Sequence, residues 1–79
     1  MVVDMTFSIP HDVVSRMVDG ASAIRAWREH LGLTQLEVAE RLGVTQSAYA
    51  QQEASTRPRK ATRARIASAL GIAPAQLEL

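Results

Sequence analysis

Two helical runs follow each other between Thr34 and Glu53, with only Gly43 and Val44 between the end of one and the cap of the next. Thr34 with Glu37 three residues on is a capping-box pattern, in which the hydroxyl satisfies one orphan backbone amide and the carboxylate reaches back to another. Val38, Ala39 and Leu42 then share one face, and Gly43 stops the run by taking the left-handed conformation that other residues reach only at a cost of ~1 kcal/mol or more. Thr45 caps the second run, Gln46 to Glu53. So short a link makes the two helices cross closely. Ala39 suits the crossing, where a larger side chain would hold the axes apart, and Val38, Leu42, Val44 and Tyr49 are expected to pack inside it.

The flanking segments read as further short helices. Ser8, Ile9 and Pro10 resemble an N-cap followed by a proline in the first turn, after which Val13, Val14, Met17 and Val18 fall at helical spacing until Asp19 and Gly20. That predicts a first helix of about nine residues. Ser22 caps a second through His30, with Ile24, Trp27 and Leu31 on one face and Gly32 as its stop. Residues 54 to 60 form a polar loop containing Pro58. A last helix runs from about Lys60 to Leu70, closed by Gly71, and Pro74 to Leu77 can make one final turn. Only Thr6 to Ile9 alternates as a strand would. Thirteen alanines and three aromatics favour short helices packed closely. The expected architecture is an all-α compact bundle of about five short helices built around the crossing, with a short N-terminal helix in residues 1–21 ahead of a domain over 22–79.

Size and composition narrow the function. At 79 residues the chain has room for one thin core, and a catalytic cleft of the usual ~300 to 1,000 Å³ would consume most of it. An enzyme is therefore disfavoured, and no nucleophile and base are spaced to work together. Cysteine is absent, and His11 and His30 have no ligand spacing, so neither a disulfide framework, a metal site nor a cofactor is expected. Without a long apolar stretch or a leader pattern, the expected setting is the cytoplasm, away from any membrane.

Charge is unevenly placed. Residues 1 to 21 carry a net of −2, residues 22 to 65 a net of +4 and the remainder −1, which together give the formal +1. Five of the nine basic residues, Arg57, Arg59, Lys60, Arg63 and Arg65, lie within one stretch without an acid. Such a run is the footprint of a surface that meets phosphate, and equally of a solvated helix face. Combined with the two crossing helices it favours the first reading, because a helix-turn-helix holds its second helix out from the body, where it can enter a DNA major groove about 12 Å wide.

The stretch LGLTQLEVAERLGVTQSAYAQQE at 31–53, continued by IASALGI at 66–72, resembles the Cro/C1-type or XRE helix-turn-helix family that includes the lambdoid phage repressors. The segments IPHDVV, AIRAWREHLGLTQ and AYAQQEAS further resemble a bacterial subgroup of antitoxins from type II toxin-antitoxin operons. The family resemblance implies base reading by Thr45, Gln46, Ser47 and Gln51 at the start of the second helix, with Gln46 foremost, since glutamine can pair bidentately with adenine. It implies phosphate contacts for Gln35, Arg57, Arg59 and Lys60, which position the protein without reading sequence. Arg28 and Glu53 match a largely buried ion pair, with Arg28 also a candidate to face phosphate.

The chain departs from the family pattern at three places. Gln52 stands at a usually apolar position, Ala54 and Ser55 replace the usual Asn-Gly, and Arg63 stands where many relatives have leucine. The expected function is a repressor binding an inverted-repeat operator in double-stranded DNA as a homodimer, at the bacterial or phage nucleoid. The dimer surface would use Ile72 and Leu77, or else the N-terminal helix. The alternative is an antitoxin acting chiefly on a partner toxin or antitoxin. A helical adaptor that keeps the fold without binding DNA is a third reading. Trp27 and Tyr49 read as core residues, and Ser22, Thr34 and Thr45 as caps.

Overall fold

The structure, a computed structural model, describes residues 9–78. Five helices follow in order, α1 (His11–Val18), α2 (Ala23–His30), α3 (Gln35–Leu42), α4 (Gln46–Ala54) and α5 (Lys60–Leu70), and a single 3-10 turn, Pro74–Leu77, ends the chain path. No strand occurs among the described residues, and Thr6 to Ser8 of the expected alternating segment lie outside them.

The start of α1 differs from expectation. Ser8, the expected cap, lies outside the described residues, and Pro10 itself occupies the N-cap position with no side-chain cap bond. The expected single apolar stripe of α1 also divides. Val13 is fully buried and Met17 packs against the core, whereas Val14 is 45% and Val18 80% exposed. Each pair is one turn apart, but the two pairs are rotated by about 100° around the axis, so only one can face inward. Along the seam with α2, Arg16 reaches Asp12 at 3.0 Å and Glu29 at 3.5 Å, and Asp12 lies 3.1 Å from His30. Exposed pairs of this kind contribute about 0–1 kcal/mol each, so burial of Val13 and Met17 is what holds α1 down.

In α2 the Ser22 hydroxyl accepts the Arg25 amide at 3.1 Å as a cap. Ile24, Ala26 and Trp27 are buried. Leu31, expected on that face, is the C-cap and is 39% exposed. The buried face of α2 therefore comprises Ile24, Ala26 and Trp27, with Ala26 in place of the expected Leu31. Trp27 is core as expected, and its indole N–H donates to the Gln76 carbonyl at 2.9 Å, tying the last turn to α2.

At the crossing of α3 and α4 the Thr34 hydroxyl accepts from the Glu37 amide at 3.1 Å, and the Glu37 carboxylate accepts from the Thr34 amide at 3.0 Å. The bond from the Thr34 amide, with the Thr34 side chain next, holds the Glu37 carboxyl below its ordinary range. Gly43 has φ 71°. A Cβ there would meet nothing within 4 Å, so backbone conformation alone demands glycine. Val38, Ala39 and Tyr49 are fully buried, with Leu42 and Val44 packed against them. α5 supplies Ile66, Ala67 and Leu70 to the same core, and Leu77 closes it from below.

Candidate nucleic-acid interface

The residues of α4 divide cleanly between an inner and an outer face. Tyr49 and Glu53, one turn apart, are buried, while Thr45, Gln46, Ser47 and Gln51 are exposed. Thr45 also caps the helix, its hydroxyl accepting the Ala48 amide at 3.1 Å. Ala48 and Ala50 are half-buried between the two faces, as is Gln52, at the position expected to be apolar.

What fixes α4 is a buried ion pair. Arg28 of α2 donates through Nε to Glu53 Oε2 at 2.5 Å and through Nη2 to Oε1 at 3.1 Å, a two-pronged contact. Its Nη1 donates to the Leu33 carbonyl at 2.8 Å. The side chains are only 12% and 4% exposed. Gln35, at the start of α3, completes the set by donating from Nε2 to Glu53 Oε1 at 3.1 Å. Burial alone would raise the Glu53 carboxyl, but the hydrogen bonds from Arg28 and Gln35 outweigh it and hold Glu53 below the usual carboxylate range.

One group in this network is unmatched. The Tyr49 hydroxyl is buried beside the Glu53 carboxylate without a hydrogen bond of good geometry. Burial first, and the neighbouring carboxylate second, push its ionisation well above the ordinary tyrosine value. An orphaned buried hydroxyl is a cost, so Tyr49→Phe is expected to leave stability unchanged or raise it by up to about 1 kcal/mol in thermal melts. A loss of more than ~1 kcal/mol would show that the hydroxyl has a bonded role.

Two of the expected phosphate contacts therefore have an inward component. The three Arg28 donor groups are engaged within the domain, which serves its structural role. The Gln35 amide is likewise turned toward Glu53. Sequence reasoning assigned Gln35 to the surface because nothing local reveals a bond spanning 18 residues.

The basic run also divides. Arg57, Arg59 and Lys60 are exposed in the loop after α4 and at the start of α5. Arg63 instead turns to Glu78 at 3.5 Å, and Arg65 lies with Arg41 beside Leu42 and Ala69. Residues two apart on a helix point to nearly opposite sides, so Arg63 and Arg65 cannot share one patch. Arg63, at the position where leucine was expected, is partly buried and contributes a surface pair in place of core area. Ile72 is half-buried, and Leu77 is 5% exposed and part of the core.

A capped helix, a left-handed glycine and a second helix with a locked inner face and a free polar outer face define a helix-turn-helix DNA-binding domain. The helix-turn-helix family model HTH_3 matches residues 24–77, more than half of the chain, and the protein belongs to this family, the Cro/C1-type or XRE class. Membership implies DNA binding by a transcriptional regulator and points away from an enzyme. No curated protein and no solved structure gives a significant match. Among the described residues no helix is long and apolar enough to cross a membrane, and no three His, Cys, Asp or Glu residues converge as metal ligands.

Proposed function

We propose that the chain is a sequence-specific transcriptional repressor that binds an inverted-repeat operator as a homodimer, at the nucleoid of a bacterial or phage-infected cell. The observation that carries this reading is the outer face of α4, where Thr45, Gln46, Ser47 and Gln51 stand exposed while Glu53 anchors the inner face, with Arg57, Arg59 and Lys60 exposed in the segment that follows. Glutamine at the first turn of such a helix can present donor and acceptor together to an adenine edge. The start of α3 suits phosphate, because the Gln35 and Leu36 amides have no acceptor within their own helix. One such helix reads only a few base pairs. A dimer that sets two helices about one DNA turn (roughly 34 Å) apart supplies the rest of the specificity.

The test begins with a duplex that the full chain enriches from a randomised pool, compared with a scrambled duplex by fluorescence anisotropy. The wild-type chain is expected to prefer the enriched duplex, and Gln46→Ala is expected to reduce that preference by about 5- to 150-fold, the worth of a good base contact. Gln51→Ala should act in the same direction. If both substitutions leave the preference intact, α4 does not read sequence through these residues.

A dimer drawn from this chain would use Ile72 or the exposed edge of α1, Val14 and Val18, since Leu77 is committed to the core. That same edge, outside the span matched by the family model, also favours the antitoxin reading, in which a toxin or a separate antitoxin covers it. Sedimentation of the purified chain separates these readings. A dimer that Val18→Asp dissociates supports self-association through α1, and a monomer turns the search to a partner.

A further inference from the structure

We infer that Ser22 is a positioning residue for DNA reading, because its hydroxyl latches the C-terminal end of α4. Of the five helices, four end in one way. The amide of Ala21 donates to the Arg16 carbonyl at 3.0 Å, Leu33 to Arg28 at 3.1 Å, Val44 to Ala39 at 3.0 Å and Ile72 to Ala67 at 3.0 Å. Each bond wraps the chain back over the last turn, following a glycine with positive φ. The end of α4 is built differently. Ala54 and Ser55 stand there instead of a glycine, Ser55 is extended at φ −69° and ψ 131°, and its amide reaches only the Gln52 carbonyl. The wrap that secures the other four helices is absent from the one helix that meets bases.

The Glu53 carbonyl is held from elsewhere. Ser22, at the start of α2, donates its hydroxyl to that oxygen at 2.6 Å while the same oxygen atom of Ser22 accepts the Arg25 amide at 3.1 Å. One side chain thus caps the beginning of α2 and closes the end of α4, 31 residues away. Glu53 is gripped twice, through its carboxylate by Arg28 and Gln35 and through its backbone by Ser22. The two grips have different effects. The carboxylate contacts set how α4 packs, and the carbonyl contact fixes the last turn, from which the chain departs toward Arg57 and Arg59. A recognition helix with a loose end must be ordered when it enters the groove. That ordering cost falls on the complex requiring a defined register, whereas non-specific binding rests on phosphate charge and tolerates several registers.

This inference rests on the DNA-reading role of α4, and the experiment separates the two. Ser22→Gly removes the hydroxyl without changing charge, and glycine is itself an acceptable N-cap, so α2 and the fold persist. Ser22→Thr returns the hydroxyl. In the full chain, hydrogen exchange at the amides of Glu53, Ala54 and Ser55 is expected to accelerate about fivefold or more in Ser22→Gly and to return in Ser22→Thr, with the α3 amides unchanged. On the enriched duplex, preference over the scrambled one is expected to fall about fivefold and to be restored by Ser22→Thr, while affinity for the scrambled duplex changes less than about twofold. Unchanged exchange and unchanged preference in Ser22→Gly would overturn the inference, as would a loss that Ser22→Thr does not restore. Faster exchange with intact preference would reduce Ser22 to a structural contact and overturn its positioning role. A wild-type chain that enriches no sequence would overturn the DNA-reading role itself, and the exchange arm would still decide whether Ser22 holds α4.

Discussion

Arg28→Ala is expected to destabilise the domain by about 3–5 kcal/mol in urea denaturation, the largest effect of any single substitution considered for this chain. The reason is the charge left behind. Glu53 is 4% exposed, so without the guanidinium its carboxylate would stay buried with only neutral neighbours, the Gln35 amide and the Tyr49 hydroxyl, to offset its charge. A domain of this size has a total stability on the order of 5–15 kcal/mol, and such a loss leaves a substantial unfolded fraction. Removing both partners should cost less than removing one. Arg28→Met with Glu53→Leu takes away the stranded charge along with the pair, and is expected to be more stable than Arg28→Ala alone. An Arg28→Ala cost below about 1 kcal/mol would mean that water reaches Glu53 and that the pair behaves as a surface contact.

The same pair sets a pH dependence. Glu53 has a folded pKa below its unfolded value, so its contribution is complete above the unfolded glutamate value of about 4.3 and is lost as pH falls through the depressed folded value. Stability is therefore expected to decline as pH is lowered from about 5. Glu53→Gln, less stable at neutral pH, should show a shallower decline over that range. Parallel curves for the two proteins would place the titrating group elsewhere, with Asp12 and Glu37, both also depressed, as the next to examine.

The helices were legible because their ends are written in local chemistry. Thr34 with Glu37, Thr45 before Gln46 and Gly43 between them locate α3 and α4 without knowledge of any distant residue, and the two-residue link between them implied their close crossing, in line with the family resemblance. The bounds of α5 and the final turn followed from Gly71 and Pro74 for the same reason. The Arg28–Glu53 pair was also foreseen, though from the resemblance and not from spacing. What could not be read is where a side chain goes when two directions are chemically open. Gln35 could have met solvent or Glu53, Leu77 a second copy or the protomer's own core, and Arg63 the phosphate side or Glu78. Each choice is set by elements far away in sequence. α1 shows the same limit, because four valine and methionine positions at helical spacing satisfy one broad stripe on paper, yet only one pair fits beneath a helix that packs chiefly on α2. The departure at Ala54 and Ser55 was visible as a missing glycine turn, but its compensation by Ser22 depends on α2 lying against the end of α4.

Neutralising the loop cations together, as Arg57→Gln, Arg59→Gln and Lys60→Gln, is expected to weaken DNA binding on the order of 100-fold at 50 mM salt and to flatten its salt dependence. Each phosphate contact contributes about 0.9 to the slope of log affinity against log salt, so three contacts should lower the slope by about 2.7. Preference for the enriched duplex over a scrambled one should hardly move, because both offer the same phosphates. That contrast separates this surface from α4, where Gln46→Ala is expected to change preference and leave the slope alone. The paired change Arg63→Gln with Arg65→Gln serves as an internal comparison of similar charge. Arg63 is turned to Glu78 and Arg65 lies beside Arg41, on opposite sides of α5, so this pair should reduce the slope by less than about 1. If the two sets flatten the slope equally per charge removed, binding responds to net charge alone and no particular loop faces the DNA. If only the loop set does so, the phosphate-facing side of the molecule lies where α4 hands over to α5, next to the helix end that Ser22 holds.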